Sequence, residues 1–194
     1  MKKSNNGKIR TIDLLLMNIP NFFTISRIVL TFVVAYMIFV HESIIMIVIV
    51  FSIAALTDFV DGKLARAYKW ESEFGRKADI IADRFLWIGT ALAFIISYGI
   101  YNRLDWHHGV QIMFIMSREI LTIPFAIIAF FSGNALPKAR YVAKVTTFLQ
   151  GFALPALILS TTYPVWAYVS WPLSIIVFFT GLKSALYYMN DVNK

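Results

Sequence analysis

Residues 57–84 read TDFVDGKLARAYKWESEFGRKADIIADR, a long charged stretch in an otherwise apolar chain. Asp58 and Asp61 are three residues apart and Asp79 and Asp83 four apart, so on helices each pair projects from one face. Two such faces brought together make a cage of four carboxylates. An all-oxygen set of this kind suits a hard divalent cation, Mg²⁺ or Mn²⁺, rather than zinc or copper. The chain has no cysteine, and its three histidines lie outside the stretch. Gly62, Ala65 and Gly75 share helical rows with the aspartates, and small side chains there let a helix or a ligand approach the backbone closely. Arg66 adds a fork of donors suited to a phosphate. Read from its residues alone, the stretch is a metal-diphosphate site at a membrane surface.

The membrane follows from composition. Of 194 residues, 59% are hydrophobic and only 15% charged, with a mean hydropathy of +0.68, well beyond the usage of a soluble domain. Placing a charged stretch in such a chain is costly, which makes a functional site its default explanation. The net charge of +7 does not mark a nucleic-acid binder, because the cations recur between apolar segments instead of forming one basic face. That pattern fits anionic lipid headgroups and topology signals.

The predicted fold is an all-α integral membrane protein. Its six transmembrane helices run over about 22–41, 43–62, 77–100, 109–132, 142–162 and 165–188, each matched to a hydrocarbon core of about 30 Å. Residues 1–16 form a short interfacial N-terminal segment, with Lys2, Lys3, Lys8 and Arg10 set to meet anionic lipid, and residues 17–194 form a single domain. Of the 18 lysines and arginines, Arg27 and Arg118 fall inside spans and Arg103 on one side; the rest fall on the other. By the positive-inside rule both termini and the aspartate stretch are cytoplasmic. His41, His107 and His108 fall on the far side and read as ordinary interfacial residues.

Asp58-x-x-Asp61-Gly62-x-x-Ala65-Arg66, eight residues, then Gly75-x-x-x-Asp79-x-x-x-Asp83 resembles the signature of the CDP-alcohol phosphatidyltransferase family at every position. With eight specified residues at fixed spacing, the pattern is far more specific than a lone glycine motif. The resemblance implies a six-helix membrane enzyme, often a homodimer, in the plasma membrane of a prokaryote. Such an enzyme transfers a substituted phosphoryl group from a CDP-linked donor to an alcohol and releases CMP, using two Mg²⁺ or Mn²⁺ ions. Carried over by position, Asp58, Asp61, Asp79 and Asp83 are the metal ligands, and Asp83 is also the catalytic base. Asp61, Gly62, Ala65, Arg66, Gly75 and Asp79 line the CDP site. Pro20-Asn21-x-x-Thr24-x-x-Arg27 resembles the start of the family's first helix, giving Thr24 and Arg27 a donor-phosphate role.

Met17 to Asn21, Ser117-Arg118-Glu119 and the run from Ala143 to Gln150 are similar to the phosphatidylglycerophosphate synthases and the related cardiolipin synthases of that family. The implied partners are CDP-diacylglycerol and glycerol 3-phosphate, with Arg118, Arg140 and Lys144 expected to hold the acceptor's phosphate. Phosphatidylglycerol, inositol phosphate and serine remain alternative acceptors. Ala143 stands where the family usually has Gly, Thr146 where it has Lys, and Ile80 where a proline is usual. A different class, a cation transporter using its carboxylates to bind ions, would favour acidic residues near the bilayer midplane. Here they cluster at one end, beside cations suited to phosphate.

Overall fold

The computed structural model describes the backbone of residues 11–68, 73–101, 104–131 and 141–192, and side chains at 25–57, 82, 84–101, 104–125 and 141–190. Among these residues the chain is all helix, with no strand. The helices are α1 (Thr11–Phe39), α2 (Ile44–Tyr68), α3 (Glu73–Ile100), α4 (Trp106–Ile115), α5 (Ser117–Phe131), α6 (Tyr141–Ser160) and α7 (Ala167–Val192), with a 3-10 turn at Pro164–Trp166. Two stretches among the described residues, Tyr141–Ser160 and Pro164–Asn190, are long and apolar enough to cross a bilayer.

Three boundaries differ from the sequence expectation. α1 starts at Thr11, so part of the expected interfacial segment 1–16 belongs to the first helix, while residues 1–10 lie outside the described residues. α2 runs on to Tyr68 and α3 begins at Glu73. Hydrocarbon thickness limits a span but not a helix, and Lys63 to Ala67 are good helix formers. The aspartate stretch is therefore helical at both ends. The expected fourth span is two helices, broken at Met116, whose φ of −88° and ψ of 5° depart from helical values.

The first three helices make one unit. α1 packs against both α2 and α3, burying the row Arg27, Thr31, Val34, Ile38, spaced to share one face. Ser97 Oγ donates to the Ile38 carbonyl at 3.1 Å, and the rings of Phe32 and Phe85 are 5.5 Å apart. A Cβ built on Gly89 would lie 3.0 Å from Thr31 Cγ2, so glycine permits the approach. These contacts make α1 and α3 parallel. α1 ends with His41 in the left-handed region (φ 55°); Glu42 N–H donates to Met37 O at 3.0 Å and His41 N–H to Ile38 O at 3.3 Å. This pair of bonds is the Schellman stop, and it turns the chain back into α2. Phe51 of α2 meets Trp87 of α3 edge to face at 5.4 Å.

The remaining helices gather on α7, which packs against α4, α5 and α6, while α6 also touches α2. Phe114 stacks on Phe178 at 4.6 Å. The buried positions of α7 are mostly small, including Ser170, Ser174, Gly181, Ser184 and Ala185, whereas Ile175, Ile176, Phe179 and Leu186 are exposed. Buried serines satisfy themselves locally, as where Ser174 Oγ donates to Ser170 O at 2.7 Å. Small residues inside and bulky apolar ones outside is the arrangement of helices that pack within lipid.

Candidate functional site

The side chains of Asp58, Asp61, Gly62, Ala65, Arg66, Gly75, Asp79, Asp83 and Thr24 lie outside the described residues, but their backbone positions on α1, α2 and α3 are described. Register is therefore the available geometry. α2 buries Ile44, Ile47, Phe51 and Ala54. Asp58 and Asp61 fall seven residues after Phe51 and Ala54, and Ala65 seven after Asp58, so they continue the same heptad row. On α3, Asp79 and Asp83 fall seven residues before Leu86 and Thr90, which are buried at 1% and 0% exposure. Taking the Phe51–Trp87 contact as the antiparallel anchor, Asp58 comes level with about residue 80 and Asp61 with about residue 77. The four aspartates occupy neighbouring turns of two helices joined by a short connection.

α1 brings the donor-phosphate candidates to this level. The contacts of Thr31 with Gly89 and of Ser97 with Ile38 put Thr24 level with about residue 83 and Arg27 about one turn further into the bundle. Arg27 is wholly buried, so it does not snorkel along the outside. A guanidinium can be kept there only where the protein satisfies it.

The second cluster forms where α5 meets α6. Arg118 Nε and Nη2 approach Glu119 Oε1 at 2.9 and 2.8 Å. Its Nη1 donates to the Ala143 carbonyl at 2.9 Å and to Thr147 Oγ1. Gln150 Nε2 donates to Glu119 Oε2 and to the Ile115 carbonyl, both at 2.7 Å. Gln150 thus holds the break between α4 and α5 together. The sequence marks Arg118 directly and Gln150 only through the row Ala143, Thr147, Gln150 of helical spacing on an apolar helix. Lys144, next to Ala143, is exposed, and Arg140 lies outside the described residues.

This cluster faces the aspartate end. Arg84, beside Asp83, neighbours Tyr188 near the end of α7, and Gly181, two turns earlier, lies beneath Ser117 and Arg118. The short turn from α6 to α7 then puts the first turn of α6 at the same end.

At the opposite end the structure collects residues that the sequence had not marked. One ligand atom each from Asp105, His107 and His108 lie within 4.8 Å of one another. About 17 residues of α3, or roughly 25 Å of helix, separate this group from Asp83. It is no part of the aspartate cage.

The CDP-alcohol phosphatidyltransferase family model matches residues 17–180. The chain is 33% identical over 146 residues to the CDP-diacylglycerol--glycerol-3-phosphate 3-phosphatidyltransferase of Rickettsia felis, covering 74% of this chain and 76% of that protein. It is 37% identical over 106 residues to the protein of that name in Haemophilus influenzae, covering 54% and 55%. A probable phosphatidylglycerophosphate synthase of Mycobacterium tuberculosis is 33% identical over 152 residues, covering 76% and 68%. These matches remove the transporter alternative. Extending from the helix of Arg27 through that of Gly181, the family match spans both clusters and all the motifs that first carried the resemblance; the chain belongs to the CDP-alcohol phosphatidyltransferase family and is an enzyme of that class.

Proposed function

We propose that this enzyme transfers the phosphatidyl group of CDP-diacylglycerol to glycerol 3-phosphate, giving phosphatidylglycerophosphate and CMP. The observation that carries the reading is the register of Asp58, Asp61, Asp79 and Asp83, which extends the buried rows of α2 and α3 to one end of the bundle. The names of the relatives support the same donor and acceptor. In this reading six membrane-crossing units, with α4 and α5 forming one, hold the site and both termini on the cytoplasmic side. The apolar perimeter and the small-residue core of α7 support that arrangement. A homodimer in anionic lipid completes the proposal.

The chemistry needs charge neutralised on a diphosphate and a hydroxyl oriented for in-line attack. The four carboxylates are a fitting donor set for two Mg²⁺ or Mn²⁺ ions, which when bound supply that neutralisation. Asp83 takes the proton of the acceptor hydroxyl as its oxygen bonds to phosphorus, and the bond from phosphorus to CMP breaks. Gly62, Ala65 and Gly75 let the cytidine diphosphate lie close to the backbone, and Arg66 forks onto its phosphate. Thr24 and Arg27 approach the donor from α1. Lys144 and Arg140 receive the acceptor's phosphate. Arg118 already uses most of its N–H groups on Glu119, Ala143 and Thr147, so it contributes one remaining N–H and the position of the α6 turn that carries Lys144.

The test is CMP release by purified protein with CDP-diacylglycerol and a panel of acceptors. Turnover should be highest with glycerol 3-phosphate, vanish in EDTA and return with Mg²⁺ or Mn²⁺. Faster turnover with serine or phosphatidylglycerol would replace the acceptor, and full turnover in chelator would remove the metal.

A further inference from the structure

We infer that Asp105, His107 and His108 form a second metal site, for an ion of the zinc class, at the end of the bundle opposite the aspartates. Asp105 is the residue before α4, and the two histidines lie in that helix's first turn. Their ligand atoms already converge to within 4.8 Å. A tetrahedral ion at about 2.0–2.2 Å from each ligand needs those atoms roughly 3.3–3.5 Å apart. The remaining closure, at most about 1.5 Å, falls to the two exposed partners, since the side chains of Asp105 and His107 are 69% and 36% exposed. Asp105 Oδ2 is already 3.8 Å from His107 Nε2, and the two imidazole rings are 4.2 Å apart between centroids.

His108 supplies the independent sign of a ligand. It is 6% exposed, and its buried Nδ1 has no hydrogen-bond partner among the described residues. One turn along the same buried face of α4, Gln111 is completely buried, with both amide atoms likewise unpartnered among the described residues. Buried polar groups in native proteins find partners, and an exception calls for a bound ion or water. An ion held through His108 Nδ1 gives the buried imidazole its missing bond. The donor set chooses the metal. Two imidazoles and one carboxylate suit Zn²⁺ and its neighbours in the first transition row, whereas Mg²⁺ asks for oxygen ligands in octahedral array. The positive end of the α4 dipole works against a cation at this place; the Asp105 carboxylate offsets it.

The experiment uses the full chain without a histidine tag, purified in detergent, stripped with EDTA and dialysed into excess Mg²⁺ to occupy the aspartates. Titration with Zn²⁺ by calorimetry should then show one site per chain. His107→Ala, at a half-exposed position that leaves the core intact, should weaken Zn²⁺ binding by at least about tenfold, the scale of losing even a supporting group of a metal site. CMP release in Mg²⁺ should be unchanged in that variant. His108→Gln should weaken Zn²⁺ as well, with retained Mg²⁺-dependent turnover reporting that it folds. Absence of Zn²⁺ binding in the unaltered protein, or undiminished binding in His107→Ala, overturns the assignment.

Discussion

Replacing Glu119 by glutamine changes one atom in kind and removes one charge, yet the surroundings leave it no neutral place to go. Oε1 accepts from two nitrogens of Arg118, and Oε2 accepts from Gln150. In Glu119→Gln the new NH₂ faces donors on either side. Gln150 can turn its own Oε1, which has no partner among the described residues, but only by taking Nε2 away from the Ile115 carbonyl. One stranded group costs about 1–3 kcal/mol, and breaking a buried ion pair costs about 3–5 kcal/mol in all. The Arg118 side chain is 12% exposed, which favours the lower end, about 3 kcal/mol. At about 2–4 °C per kcal/mol for a chain of this length, the melting temperature should fall by roughly 6–12 °C. Tryptophan fluorescence during heating in detergent measures it. Removing both partners, in Arg118→Met with Glu119→Leu, should be milder than Glu119→Gln alone. A drop of less than about 2 °C, or a double variant no milder than the single, refutes the claim that this pair locks α5 to α6.

Gly181→Ala would put a Cβ 2.5 Å from Ser117 Oγ and 3.3 Å from Arg118 N. It should cost about 1–3 kcal/mol by overpacking, most of it restored by adding Ser117→Ala; failure of that rescue in thermal unfolding would locate the strain elsewhere. Asp83→Asn should keep CDP-diacylglycerol binding while abolishing transfer, and Asp58→Asn should lose metal and donor affinity together. Equal loss of donor binding in both would remove the special role of Asp83. Lys144→Ala should raise the KM for glycerol 3-phosphate much more than that for CDP-diacylglycerol, as expected when one charge-assisted phosphate contact is lost; an unchanged acceptor KM would make Lys144 a topology signal only.

The sequence by itself determined the helical class, the apolar surroundings and the family, because these rest on local properties. Hydrophobic runs report the solvent of each segment, and the aspartate spacing reports its own helical rows whatever lies opposite. The parallel pairing of α1 with α3 was not legible in that way, since it depends on Gly89 admitting Thr31 and on Ser97 reaching the Ile38 carbonyl, residues 58 or 59 apart in sequence. Nor was the break at Met116, where the pattern reads as one apolar span and a glutamine 35 residues away holds the freed end. Arg118 looked like an available cation until Glu119, Ala143 and Thr147 were set around it. A side chain's donors are spent by its neighbours in space, and only folding decides which neighbours those are.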